Sequence, residues 1–185
     1  YRWMVDSGAP RTGPRGEFAG YVGSCIDITP RRWAQQELAR VNGQLQAVLD
    51  ASHQVAIIAT DLEGEITLFN RGAEAMLGKP AAEVLGRLCT QLARDLPEFA
   101  ARRERLSTEF GRPIDGFDVL ALRARLYEHD EQEWTIYREN GRITINVVAS
   151  PMRGPDGEIT GYVAIGRDVT DSKAAEVALR ESAYR

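Results

Sequence analysis

Over Arg142–Pro151 the apolar and polar positions alternate. Ile143, Ile145, Val147 and Ala149 share one parity, and Thr144, Asn146, Val148 and Ser150 share the other. A period of two predicts a strand with one face turned to a core. Glu133–Arg138 and Glu158–Val169 predict its neighbours, joined through the turns Glu139-Asn140-Gly141 and Gly154-Pro155-Asp156-Gly157. Asn-Gly tolerates the positive φ of a tight hairpin turn, and Gly with Pro punctuates strands. The alternation leaves open which face lines a pocket: Asn146 with Thr144 would make a polar wall, Ile143 with Ile145 an apolar one.

Gln54–Thr60 is apolar on both parities, which predicts a strand central in its sheet or covered on its outer face by the preceding helix. After the turn Asp61-Leu62-Glu63-Gly64 the chain returns as a strand over Glu65–Phe69. Asn70 is then a cap for a helix over Arg71–Leu77, ended by Gly78 and Pro80, and a short helix follows at Ala81–Leu85. Pro97 opens another helix, with Phe99, Arg103, Leu106 and Phe110 as its inward stack, and Phe117–Tyr127 predicts one more. Helices are also expected at Pro30–Leu49, after Thr29, and at Asp171–Arg185, where Thr170 would cap by accepting from the first turn. In the first of these, Ala34, Leu38, Val41, Leu45 and Val48 are spaced four, three, four, three. That is the seam of a coiled coil, so a homodimer through this helix is expected.

The chain also repeats itself. Shifted by 141 positions, Pro10–Thr29 overlies Pro151–Thr170 with ten of twenty residues identical, among them Gly13/Gly154, Gly16/Gly157, Tyr21/Tyr162, Asp27/Asp168 and Thr29/Thr170. A repeat this long exceeds a solenoid unit of about 20–50 residues and matches a small domain. Two tandem copies follow, the first present as its last two strands.

Gly-Glu-x-x-Gly-Tyr-Val followed by Asp-Ile/Val-Thr, at Gly16–Thr29 and again at Gly157–Thr170, resembles the C-terminal part of a PAS sensor domain, often called the PAC motif. Asp61–Gly86 resembles the N-terminal half of the same fold. The resemblance implies an α+β fold: a five-stranded antiparallel sheet, first strand beside the last, with short helices over one face and signalling helices at either end. The expected organisation is a hairpin of a preceding PAS domain at 1–29, a linker helix at 30–49, the PAS domain at 50–170 and an exit helix at 171–185. The resemblance further implies a sensory and dimerisation module, with neighbouring PAS and output domains in the same polypeptide. Histidine kinase and diguanylate cyclase are the outputs that family analogy offers. It also makes Asp168 and Thr170, with Asp27 and Thr29 upstream, the junction that passes strain from sheet to helix. Asp168 is expected to reach backbone N–H groups or a basic side chain near Ser172 and Lys173.

Composition narrows this picture. A hydrophobic fraction of 43% and a charged fraction of 27% are ordinary for a globular domain. A net charge of −4 carries no basic footprint for nucleic acid. No apolar run approaches the ~20 residues of a membrane helix. Cys25 and Cys89 are far apart, as suits a reducing cytoplasm. No metal cluster, phosphate loop or nucleophile elbow is visible, so no enzyme is expected.

Cys89 carries the sharpest chemistry. Gly86-Arg87-Leu88-Cys89 partly resembles the Gly-Arg-Asn-Cys motif of LOV photoreceptors, whose cysteine bonds a flavin. Leu88, Ile136 and Gly166 stand where that resemblance asks for two asparagines and a glutamine. A flavin's polar edge needs such amides. A haem would need His53 or His129, which precede a strand and sit in a charged loop respectively. Neither flavin nor haem is therefore expected. A light or redox sensor and a ligand-free assembly module are the alternatives. Cys89, Asn146, Ile57 and Trp134 are the candidate pocket residues for a small-molecule ligand.

Overall fold

The computed structural model describes residues 1–138 and 141–183. The turn residues Glu139 and Asn140, and the ending Tyr184-Arg185, lie outside the described residues. Two units separate in the fold, Tyr1–Val48 and the stretch from Leu49 onward.

In the first unit β1 (Met4–Thr12) pairs antiparallel with β2 (Phe18–Asp27), and α1 (Thr29–Ala51) follows. The turn closes where the Gly13 N–H donates to the Glu17 carbonyl over 2.8 Å. Both strands are exposed almost throughout, because a two-stranded ribbon has no second layer to bury against.

The second unit holds β3 (Val55–Thr60), β4 (Ile66–Phe69), α2 (Arg71–Leu77), α3 (Ala81–Val84), α4 (Thr90–Ala93), α5 (Pro97–Phe110), α6 (Asp118–Tyr127), β5 (Asp130–Arg138), β6 (Gly141–Arg153), β7 (Ile159–Asp168) and α7 (Thr170–Ala183). Its strands form one antiparallel sheet in the order β4-β3-β7-β6-β5, so the first strand does lie beside the last. The short α4 was not legible in the sequence. β5 starts at Asp130, ahead of the expected Glu133, because Asp130 already pairs with Ala149.

One apolar cluster joins Ala56, Ile66, Phe69, Ala73, Met76 and Ile145. A second joins Phe99, Leu106, Val119, Leu122 and Trp134 under α5 and α6. The inward stack of α5 needs one correction. Arg103 is exposed, and Arg102 is the buried arginine, three residues after Phe99 and four before fully buried Leu106. Spacings of three and four both keep one helix face, so either arginine suited the pattern. Asn70 does more than cap α2. Its Oδ1 accepts from the Ala73 N–H (2.9 Å) and the Ile57 N–H (2.8 Å), and its Nδ2 donates to the carbonyls of Val55 (3.0 Å) and Leu49 (3.2 Å).

Candidate functional site

Every second residue of the sheet turns toward the helices, and two cross-strand rows make the floor of a cavity. One row runs Ile58–Ala164–Ala149–Asp130, the other Ala56–Gly166–Val147–Gln132. Leu92, Leu96, Leu120 and Trp134 add carbon walls around a space of about 150 Å³. Gly166 keeps this floor low: a Cβ there would stand 3.0 Å from the Ile145 side chain and 3.4 Å from the Ala56 Cβ.

Polar groups occur at two places in the wall. At the β5 side, Arg102 (2% exposed) and Asp130 (8% exposed) form a buried ion pair. The Arg102 Nε donates to the Val119 carbonyl (2.6 Å) and its Nη1 to the Gln132 Oε1 (3.1 Å). Burial pulls this guanidinium down from its usual range, and the Asp130 carboxylate opposes that shift. Arg123 adds a contact at 3.4 Å to the other Asp130 oxygen. The network ties α5, α6 and β5 together, and sequence spacing missed it because its partners lie in three separate elements. At the β3 side stands Thr60, whose buried hydroxyl has no hydrogen-bond partner among the described residues.

The four candidate pocket residues divide. Cys89 and Trp134 line the cavity. Ile57 and Asn146 do not, which corrects their assignment. Ile57 falls on the opposite parity from Ala56 and Ile58, and Asn146 on the opposite parity from Ile145 and Val147. The Asn146 amide donates to Glu131 over 2.6 Å on the outer face. Burial pushes the Cys89 thiol up to about 12, so at neutral pH it is a protonated, apolar part of the wall. The residues present do not fit a flavin: Ile136 and Gly166 offer no amide. Gln132, the amide of the wall among the described residues, is engaged by Arg102, Arg105 and the Glu133 carbonyl. His53 and His129 are exposed and lie outside the lining, so neither is set to ligate a haem. Among the described residues no cluster of three metal-ligating side chains forms.

The junction residues gather at the end of β7. The Asp168 carboxylate accepts from the Thr170 N–H (2.9 Å) and the Thr170 hydroxyl (2.6 Å), not from the groups expected near Ser172 and Lys173. An Asp side chain is short and reaches the N–H two residues on. Lys173 pairs with Glu133 instead. The Thr170 hydroxyl does not cap α7 as expected; it turns back and accepts from the Thr144 N–H. Upstream, Asp27 accepts from the Thr29 N–H (2.9 Å), and hydrogen bonds from Thr29 hold its carboxyl below the usual carboxylate range. On α1, Leu38, Val41, Leu45 and Val48 are 62%, 47%, 59% and 65% exposed within the single chain, and Ala34 is exposed with them.

A protein-family model described as PAS domain matches residues 54–171. Over 141 residues the chain is 26% identical to Two-component system protein A of Emericella nidulans, covering 76% of this chain and 19% of that protein. The chain thus spans well under two thirds of that curated relative. Among solved structures, the PAS domain of a Colwellia psychrerythraea protein matches with a TM-score of 0.52 at 20% identity, covering 71% of this chain and 98% of that one. An RNA-binding light-oxygen-voltage receptor matches with a TM-score of 0.54, also at 20% identity, over 100% of this chain and 44% of that one. At these identities the likeness is one of fold.

Proposed function

The chain belongs to the PAS domain family over residues 54–171, and from that premise we propose that it is the sensory and dimerisation module of a cytoplasmic signal-transduction protein. It takes a small molecule into the cavity and passes the change to an output domain elsewhere in the polypeptide. The observation that carries this reading is the continuity of β7. Ala164 and Gly166 wall the cavity, and the same strand runs without a break into Asp168, Val169 and the first turn of α7. A displacement of the floor therefore has a covalent path to the exit helix. An open apolar cavity with a few polar groups favours ligand sensing over a ligand-free assembly role. The name of the Emericella relative supports two-component signalling as the setting; a histidine kinase or diguanylate cyclase as output rests on family analogy. The module itself is not an enzyme. The repeat supports reading residues 1–29 as the closing hairpin of a neighbouring PAS domain, and the α1 seam supports a homodimer.

The test uses the full-length protein. Asp168→Ala removes the carboxylate at an exposed site, and Asp156→Ala in the β6–β7 turn is the control. Loss of stimulus-dependent output in the first, with melting near normal and the control unaffected, is expected. Coupling between linked sites typically amounts to about 1–3 kcal/mol, enough to abolish regulation without unfolding. Intact regulation in the Asp168 variant would remove the junction from the signalling path.

A further inference from the structure

From the wall chemistry we infer that the cavity takes a neutral, benzene-sized molecule bearing one hydroxyl or carbonyl group, which pairs with the Thr60 hydroxyl. This rests on the sensory reading above and gives it a ligand class.

Size comes first. An apolar cavity on the order of 150 Å³ stays dry and admits a benzene-sized guest, and the space here is about 150 Å³. Charge comes next. Arg102 and Asp130 are the charged residues of the described wall, and they are bonded to each other. A charged ligand would enter without a counter-ion, and burying an unpaired charge is strongly unfavourable. A neutral guest avoids that cost.

Thr60 supplies the unpartnered polar group of the wall, with Tyr162 opposite it on β7. It is 5% exposed and ends the inward row of β3 after Ala56 and Ile58. Thr60 Oγ1 and Glu98 Oε2 are the buried side-chain polar atoms without a partner among the described residues, and of the two residues only Thr60 lines the cavity. Buried hydroxyls in native proteins are nearly always bonded. A hydroxyl can donate or accept, so it suits a ligand alcohol, phenol or ketone equally.

The experiment is calorimetric titration of the full chain with phenol, toluene and benzoate, repeated on Thr60→Val. Valine keeps the shape and removes only the hydroxyl, so the variant folds. In the native protein phenol is expected to bind about tenfold more tightly than toluene, the difference one buried hydrogen bond makes. Benzoate is expected not to bind. In Thr60→Val the phenol advantage should vanish while toluene binding stays. Toluene binding as tightly as phenol to the native protein, or a phenol advantage that survives Thr60→Val, overturns the Thr60 assignment and leaves the cavity reading standing. Benzoate binding overturns the neutral class. No binding by any of the three overturns this inference, and the ligand-sensing reading is then judged separately by the Asp168→Ala output test.

Discussion

The Thr170 hydroxyl accepts a hydrogen bond from the Thr144 N–H across 2.9 Å, joining the first residue of α7 to the start of β6. The first unit repeats the contact 141 positions earlier, where Thr29 accepts from the Trp3 N–H across 2.7 Å. Carbonyl contacts repeat as well: the Val169 N–H donates to Thr144 (2.9 Å) and the Ile28 N–H to Trp3 (2.8 Å). Each helix is thus stitched to its own hairpin by two strand-to-helix bonds. Thr170→Val leaves the part-buried Thr144 N–H unpaired, which costs about 1–3 kcal/mol. A domain of this size then melts lower by roughly 2–4 °C per kcal/mol. Asp168→Ala should cost less, because the Thr170 N–H at an exposed helix start can turn to water. Differential scanning calorimetry on both variants checks the order; Thr170→Val melting with the native protein would contradict it.

The buried pair offers a second measurement. Arg102→Met strands the Asp130 carboxylate beneath α6 with Arg123 as its remaining cation, at 3.4 Å. Removing one partner of a buried pair costs about 3–5 kcal/mol, whereas replacing both with apolar residues is often close to neutral. The double variant Arg102→Met with Asp130→Leu is therefore expected to unfold in urea at a higher midpoint than Arg102→Met alone. Additive losses would mean that the two charges do not act as a pair.

Much of this fold was readable because its strands alternate. Ile145 and Val147 shared a parity, and hairpin turns and the Asp-x-Thr repeat set the boundaries. Alternation alone does not say which parity faces the helices, so it admits Asn146 and Ile57 as pocket residues alongside Cys89 and Trp134. That choice is made by packing: Ala73 and Met76 of α2 close over the Ala56 side of the sheet. Arg102 was hidden for a related reason. Its meaning depends on Asp130, 28 positions away, and a helix pattern carries no information about a partner on a strand. Thr60 stands in a strand that reads as apolar on both parities, and the fold leaves its buried hydroxyl without a partner among the described residues.

Cys89 makes stability depend on alkaline pH. Its thiol is pushed up to about 12 in the folded chain, against an ordinary value of 9.0. Above pH 9 the unfolded chain loses this proton and the folded chain keeps it, so stability is full below about 9 and falls as pH rises toward 12. The slope is at most about 1.4 kcal/mol per pH unit. Unfolding free energies between pH 8 and pH 11 should fall more steeply for the native protein than for Cys89→Ala. Equal slopes would show that the thiol is not the group responsible.

The α1 seam gives the last prediction. Leu38 and Leu45 stand one heptad apart and are 62% and 59% exposed in the single chain. Apolar residues repeated at four and three along one helix bury themselves only against a second helix. We therefore expect the protein to be a dimer by light scattering. Leu38→Glu with Leu45→Glu sets two carboxylates in each half of the seam, where pairing would strip their water and bring like charges together. Glutamate is a good helix former, so the helix itself survives the change. The variant should appear monomeric, with unchanged helix content by circular dichroism. The seam spans fewer than three heptads, so the native dimer should also dissociate on dilution. A dimer that persists in the double variant at the same concentration would place the interface elsewhere on the molecule.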